Sequence, residues 1–349
     1  PIVLQPRQIS DSSGNMAAAG PIGSFQINIT NPFNPLSGYG LVNAAAAVAR
    51  AAGQPAFPEV ADAAELRLFG VDQVKAPEAW TQGYRGQGVV VAVIDTGVNY
   101  ISPFLSDSLW QNPGENPLDG IDNDRNGYID DYRGWDFVRN TNIPIDDDRE
   151  GHGTFVAGIV TDADLGIAPD ARIMPLKIAS LDSPSPPDER VAQAIDYAVN
   201  NGARIINLSF AGPLRPTTRL QQAIRSARQN NVLFIAAAGN QRQLGATEAA
   251  DPALFAAEED LGIAAGAVDR SSGFAAFSNP AGGRPLNYLV APGVEVYSTA
   301  LNSTTADQKS GTSFAAPAIA GVAALMLSAN PNLTPDQLEQ ILIDTATPV

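Results

Sequence analysis

Five short apolar runs, each suited to a β-strand, alternate with segments of helical length from about residue 66 onward. The runs lie at residues 89–94, 172–178, 205–209, 232–236 and 262–268. The helix candidates lie at residues 152–162, 188–201, 217–230, 313–329 and 335–345. Such alternation predicts an α/β fold of three layers, in which a mostly parallel central sheet carries helices on both faces.

The first 65 residues have a different character. They are rich in Ala, Pro, Asn and Gly, and they contain an Ala-rich helix candidate at residues 41–52. A chain of 349 residues can hold one large domain with an appendage. We therefore predict an accessory or propeptide-like segment over residues 1–65 and a main domain over residues 66–349.

The composition argues against several classes of function. The 21 basic and 37 acidic residues leave a formal charge of -16, which repels nucleic acid and anionic lipid surfaces. The absence of cysteine excludes disulfides, thiolate metal sites and a cysteine nucleophile. No apolar run approaches the roughly 20 residues that span a bilayer, and the first residues do not resemble a signal peptide. We expect no nucleic-acid partner, no membrane insertion, and an export signal that is removed or lies outside this sequence.

Three polar residues stand where chemistry is expected in such a fold. His152, the only histidine, stands between two glycines at a predicted helix start, and imidazole is the natural proton carrier at neutral pH. Asp95 ends the first strand, and Ser313 opens an Ala-rich helix. Taken singly, each has a structural alternative: a histidine in a polar corner, a turn aspartate or an N-cap serine. Together they can form an Asp–His–Ser triad, in a chain order known for such triads.

The segments that carry these residues resemble the signature motifs of the subtilisin-like serine proteases (subtilases) of the calcium-dependent bacterial type. The resemblance covers about residues 66–349. It implies that Ser313 is the nucleophile, His152 the general base and Asp95 the residue that orients the imidazole. It also implies that Asn240 donates to the oxyanion, and a donor of this kind is worth roughly 2.7–4 kcal/mol in the transition state. The matching segments are residues 95–97, 152–158, 236–240, 277–279, 291–293 and 311–317.

The same resemblance implies two substrate-contacting segments. One is an edge strand that pairs with an extended polypeptide substrate, made of Ser209, Phe210, Ala211 and Gly212. The other is a wall of the pocket for the side chain before the scissile bond, made of Ala237, Ala238 and Gly239. Glu248 and Asp251 follow, in a region that lines the far side of this pocket in the family. Either these acids favour Lys or Arg before the scissile bond, or they are solvated loop residues.

The acidic segment at residues 119–131 predicts a structural calcium site. Asp122, Asp124 and Asn126 stand at alternating positions before Gly127, as in the first half of a calcium loop. The twelfth position is Arg133 instead of Glu, so the last ligand must come earlier. The alternative is a solvated acidic turn. A second acidic run at residues 146–148 is a weaker candidate for a calcium site, and we favour its interpretation as a plain charged surface loop. The predicted ligands are Asp122, Asp124, Asn126, Tyr128, Asp130 and Asp131.

Three features depart from the family pattern. Phe155 stands where many relatives carry a second histidine, and residues 103–105 lack the aspartate that supplies another calcium site, which we expect to be absent. Residues 38–44 resemble a segment that normally follows the last helix of the family, yet here they precede the catalytic part. Two hypotheses remain open: residues 36–52 are a propeptide-like leftover, or they dock where the missing C-terminal element belongs.

The sequence thus predicts a serine endopeptidase that cleaves polypeptides and is stabilised by Ca²⁺. We expect a monomeric protein, made as a zymogen and secreted or periplasmic instead of cytoplasmic. The alternative is a catalytically silent calcium-binding scaffold or binding protein with the same fold.

Overall fold

Seven parallel strands form the central sheet of the computed structural model, which describes residues 32–212, 215–301 and 306–349. The sheet strands are β1 (Val90–Asp95), β2 (Trp135–Asp136), β3 (Arg172–Lys177), β4 (Ile205–Leu208), β5 (Leu233–Ala237), β6 (Gly262–Val268) and β7 (Tyr288–Pro292). Their order in the sheet is β2-β3-β1-β4-β5-β6-β7. A separate antiparallel pair is formed by β8 (Val296–Thr299) and β9 (Ala306–Lys309).

Helices cover both faces of this sheet, which confirms the predicted α/β fold. The helices of the described residues are α1 (Ala44–Ala51), α2 (Phe69–Gln73), α3 (Ala76–Thr81), α4 (His152–Thr161), α5 (Asp188–Asn200), α6 (Thr218–Gln229), α7 (Ala253–Glu258), α8 (Thr312–Ala329) and α9 (Pro335–Thr345). Side chains of β1 alternate between two cores. Val91 and Val93 face the layer that contains α4 and α8, and Ala92 and Ile94 face the layer of α5, α6 and α7.

The order of the strands positions a crevice at the end of β1. From β1 the chain first forms β2 and β3 on one side of the sheet, and then β4 to β7 on the other side. Such a reversal leaves a crevice at the carboxyl ends of the strands, where ligands of α/β proteins bind. Asp95 ends β1, and Ser209 directly follows β4. Both therefore lie at this edge.

Helix α8 crosses the centre of the molecule. Among the described residues it is the one helix long and apolar enough to cross a membrane, and it is largely buried inside the protein. It packs against β4, β5, β6 and β7 and against α4. Its apolar composition is therefore explained by its position in the core.

The N-terminal segment contributes to this core. Leu41 pairs in parallel with Val290 of β7 and antiparallel with Thr347. Helix α1 packs on α8 and α9, and Arg50 forms an ion pair of 2.8 Å with Asp344. The segment thus lies beside residues 335–349, as the docking hypothesis requires. Residues 1–31 lie outside the described residues, and the domain boundary at residue 65 stays a prediction.

Candidate active site

Asp95 and His152 meet at the carboxyl end of β1. The Nδ1 atom of His152, the first residue of α4, lies 2.8 Å from Oδ1 of Asp95. This approach is possible because the next residue is glycine: a Cβ on Gly153 would lie 2.1 Å from the carbonyl oxygen of Gly97. A carboxylate accepts the proton of Nδ1, which leaves Nε2 of the neutral imidazole as the basic nitrogen.

Ser313 lies in the first turn of α8, and no hydrogen bond joins its Oγ to His152 among the residues that the structure describes. Its Oγ donates to the carbonyl oxygen of Ser209 at 3.2 Å, and Oγ of Ser209 donates to the carbonyl oxygen of Ser313 at 2.7 Å. The ring of His152 lies 5.4 Å, centroid to centroid, from that of Phe314, the residue after Ser313. Contacts between a nucleophile and its base are often loose without substrate and tighten in the complex.

Asn240 faces the start of α8 from the loop after β5. Its Oδ1 accepts hydrogen bonds from the amide and the hydroxyl of Thr312, at 2.9 and 3.0 Å. With the oxygen held in this way, the Nδ2 donor lies on the other side of the amide, 3.6 Å from the position of a Cβ on Gly311. An amide donor is thereby fixed beside Gly311, the N-cap residue of α8, two residues before Ser313.

Carboxylates raise the pKa of His152 above its ordinary value. Burial acts in the opposite direction, but the charges of Asp95, Asp146 and Asp148 outweigh it, together with the hydrogen bond to Asp95. Asp146 is only 7% exposed, so the interpretation of residues 146–148 as a plain surface loop is wrong for this residue. Hydrogen-bond donors brought from other elements compensate its burial.

Two cavities adjoin the segment formed by residues 209–212. One, of about 620 Å³, is lined by Ala211, Gly212, Glu248 and Asp251 among others. The other, of about 270 Å³, is lined by residues that include His152, Ser209 and Phe210. The segment itself is anchored by a hydrogen bond of 2.7 Å from the Gly212 amide to the Asp251 carbonyl.

The two acids predicted for the larger cavity differ in their surroundings. Oδ1 of Asp251 lies 3.6 Å from the guanidinium of Arg215, which also bonds Glu258 at 3.0 Å. Burial raises the pKa of Asp251, and Arg215 partly opposes this. Glu248 forms no ion pair with the residues that the structure describes. Ala237 and Ala238 are buried and are not among the residues that line this cavity.

Three carboxylates converge in the predicted calcium segment. Oxygens of Glu115, Asp124 and Asp131 lie within 4.8 Å of one another. Glu115 is 6% exposed, and its Oε2 has no hydrogen-bond partner. Burial raises the pKa of Asp131 even though Tyr197, Asn126 and Asn112 donate hydrogen bonds to it.

The other predicted ligands are used differently. Asp122 accepts the backbone amides of Asn126 and Gly127, and Asp130 accepts those of Asp119 and Gly120. The ring of Tyr128 packs edge-on against those of Trp135 and Tyr197. The Nδ2 of Asn126 donates to Asp124 and Asp131. The structure thus brings together two of the six predicted ligands and adds Glu115, which precedes the loop and which its spacing does not indicate.

Comparison with known proteins agrees with this geometry. Residues 86–349 match the model of the Subtilase family. The chain belongs to the subtilase family. It is 35% identical to subtilisin BL from Lederbergia lenta over 284 residues, which cover 80% of this chain and 91% of that protein. It is also 35% identical to the M-protease of Shouchella clausii (strain KSM-K16) over 294 residues, 83% of this chain and 67% of that protein.

A solved structure gives the same assignment. The crystal structure of a cold adapted subtilisin-like serine proteinase matches with a TM-score of 0.59 and 30% sequence identity, covering 73% of this chain and 81% of that one. This subtilase is accordingly a serine endopeptidase, and its substrates are polypeptides.

Proposed function

We propose that this subtilase cleaves peptide bonds with Ser313 as nucleophile, His152 as general base and then acid, and Asp95 as the residue that orients the imidazole. The observation that supports this most directly is the 2.8 Å contact between His152 Nδ1 and Asp95 Oδ1 beside the first turn of α8. In this mechanism Nε2 of His152 takes the Ser313 proton as Oγ attacks the carbonyl carbon, and returns it to the leaving amine. Asn240 Nδ2 and the Ser313 amide donate to the oxyanion.

A serine-reactive fluorophosphonate tests this assignment. We expect one labelled residue in the wild type and no label in Ser313→Ala. Ser310→Ala is the matched control, because Ser310 lies three residues earlier and its hydroxyl accepts the amide of Glu295. A folded wild-type protein that resists the reagent would support the alternative, a catalytically silent calcium-binding scaffold.

The larger cavity supports a preference for Lys or Arg before the scissile bond. Asp251 is already compensated by Arg215, so Glu248 is the acid left to meet a cationic substrate side chain. A hydrogen bond to a charged group is worth about 1.5–3 kcal/mol. Glu248→Gln should therefore lower the ratio of kcat/KM for Lys over Phe peptides by about tenfold or more.

Fluorogenic peptides that differ only at this position measure the preference. Asp251→Asn should change the ratio less, because Arg215 screens that carboxylate in the wild type. Glu259→Gln is the control, because Glu259 pairs with Arg225 at 2.8 Å and does not line the cavity. Equal or faster turnover of Phe or Leu peptides by the wild type would reject the preference.

Glu115, Asp124 and Asp131 are proposed to hold one structural Ca²⁺, near the triad in sequence but outside the reaction. Three carboxylates within 4.8 Å repel one another, and the buried, unpartnered Oε2 of Glu115 adds an oxygen ligand of the kind that calcium prefers. The residues thus fit the ion. The serine mechanism needs no metal, so the ion would stabilise the fold by binding the native state.

Terbium luminescence tests this site. Tyr197 donates to Asp131, and Trp110 lies 6.5 Å from Tyr197, so both can sensitise a lanthanide bound there. We expect Ca²⁺ to displace terbium, chelator to lower Tm and activity, and Glu115→Gln to weaken binding. Asp119→Asn is the control, because Asp119 lies in the same loop but outside the cluster. Luminescence that is equal in Glu115→Gln and the wild type would refute the assignment.

We further propose a monomeric, secreted or periplasmic enzyme, made as a zymogen, that neither inserts into membranes nor binds nucleic acid. The formal charge of -16, the lack of cysteine and the burial of α8 support this. Residues 66–349 form the proposed catalytic domain, with residues 1–65 as an accessory segment. N-terminal sequencing before and after incubation with Ca²⁺ would locate any self-cleavage. An active enzyme whose N-terminus is the one that it was synthesised with would argue against a zymogen.

A further inference from the structure

Thr96 connects the catalytic aspartate to three other parts of the structure. Its amide donates to Asp95 Oδ1 at 2.7 Å, and its carbonyl accepts a hydrogen bond from the ammonium of Lys177, a fully buried residue of β3. Its Oγ1 accepts the amide of Gly153, in the first turn of α4, at 2.9 Å. The orientation of the Asp95 carboxylate therefore depends on how this one residue is held.

Asp146 is the acceptor that completes this arrangement. Its Oδ1 accepts Thr96 Oγ1 at 2.9 Å and the amide of Asp148 at 3.1 Å. Its Oδ2 accepts the amide and the hydroxyl of Thr154, at 2.9 and 2.6 Å. Four donors from the loop after β1, from α4 and from its own loop thus converge on one buried carboxylate.

We propose that Asp146 is a positioning residue for catalysis: through Thr96 and Thr154 it holds the loop after β1 and the first turn of α4 at the separation that the Asp95–His152 hydrogen bond needs. The inference rests on the proposed triad. Asp146 lines neither cavity beside residues 209–212, so its effect belongs to the chemical step and not to substrate binding.

The charge of Asp146 adds a second, separable effect. The carboxylates that raise the pKa of His152 are Asp95 on β1 and Asp146 and Asp148 in the loop before α4. The neighbouring Asp147 is neutralised by Lys177 and Arg139, at 2.7 and 2.6 Å. Removal of one negative charge close to the imidazole should therefore make it less basic.

The test is Asp146→Asn in the full-length chain. All four hydrogen bonds to Asp146 come from donor groups. An asparagine side chain in its place would turn its own NH₂ group toward at least one of these donors, so that at least one hydrogen bond is lost and the two segments are held less firmly. Because small misplacements of catalytic groups cost up to about 100-fold, we expect kcat to fall about 10- to 100-fold with KM changed by about twofold at most. The midpoint of the acid limb of the pH–rate profile should move to lower pH.

The control for charge alone is Asp170→Asn. Asp170 is a surface residue that pairs with Arg85 at 3.0 Å. It precedes the amino end of β3, whereas Asp95 ends the parallel neighbour β1, so the two residues lie at opposite ends of these strands. Loss of the Asp170 charge should therefore leave kcat and the acid limb unchanged. A purely structural role for Asp146 would lower Tm while kcat per titrated active site and the acid limb stayed at wild-type values. That result would overturn the inference.

A second pair of variants keeps the test valid if Asp146→Asn does not fold. Thr96→Val removes the hydroxyl that bonds Asp146 and Gly153, whereas Thr96→Ser keeps it. We expect the kcat of Thr96→Val to lie at least about tenfold below that of Thr96→Ser. Equal kcat values in the two variants would contradict the inference. A wild type that is not labelled by fluorophosphonate would contradict the proposed triad instead, so the two failures are distinguishable.

Discussion

Truncation of a buried side chain in α1 should destabilise the whole catalytic unit. Val48 is fully buried in the core that α1 shares with α8. Val48→Ala removes two methyl groups, which at about 0.8 kcal/mol for each buried CH₂ amounts to about 1.6 kcal/mol. The cavity left behind adds to this, at about 24 cal/mol for each Å³. We therefore expect the free energy of unfolding to fall by about 2–3 kcal/mol.

Urea unfolding followed by tryptophan fluorescence measures this change. The Ser313→Ala background prevents self-digestion during the experiment. Trp80 lies on α3, which contacts α1, so its fluorescence reports on this region. A single transition, shifted to lower urea, is the expected result, because α1 contributes to the same core as α4 and α8.

The control is the same substitution where burial is smaller. Val60→Ala lies in the mostly exposed stretch between α1 and α2, and we expect a loss below about 1 kcal/mol. Wild-type stability in Val48→Ala would refute the inclusion of α1 in the cooperative unit. A separate early transition would also refute it, because it would show that α1 unfolds on its own.

Three further predictions follow from the buried polar groups and from close packing. The value of kcat/KM should rise with pH through a midpoint above about 6.5, the ordinary pKa of histidine, because the raised pKa of His152 keeps the general base protonated to higher pH. A midpoint at or below about 6.5 would contradict this. Gly266→Ala should abolish stable folding, since its Cβ would lie 2.0 Å from the Tyr288 hydroxyl, and soluble expression at the wild-type level would contradict this. Arg228→Met should cost about 3–5 kcal/mol in urea unfolding at pH 8, because it leaves buried Glu339 without its bidentate partner; a loss below about 1 kcal/mol would show that the pair is not needed.

Most strands of the sheet and most of the helices that pack on it could be predicted, because the hydrophobic patterns that indicate them are local in sequence. The sequence predicts five of the seven sheet strands and six of the nine α-helices in the described residues, with ends that differ by at most a few residues. Strand β2 has only two residues, too few for any periodic pattern. Residues 41–43 were assigned to a helix, but Leu41 pairs with two strands and α1 begins at Ala44. The Ala-rich pattern favours a helix there, but pairing with Val290 and Thr347 holds Leu41 in an extended conformation, and both partners are distant in sequence.

The candidate site was predictable to the extent that its residues stand in motifs. Asp95 and His152 were expected to meet, and they do. Glu115 was missed because it enters the acidic cluster from outside the loop, so no spacing indicates it. Asp146 and Lys177 were missed for a related reason. A charged residue in a run of acids or at a strand end is usually solvated. Its burial costs free energy unless partners from other elements compensate the charge, and such partners cannot be read from the local sequence.

The pairing of Leu41 with Thr347 has a consequence for protein engineering. Oγ of Ser37 lies 3.5 Å from the carbonyl oxygen of Val349, so a short linker suffices to join these two regions. Residues 53–65 are mostly exposed and contribute little to the core. A circularly permuted gene for residues 36–349, with Val349 joined to Leu36 and the chain opened within residues 53–65, would therefore encode the same catalytic fold with a different starting point.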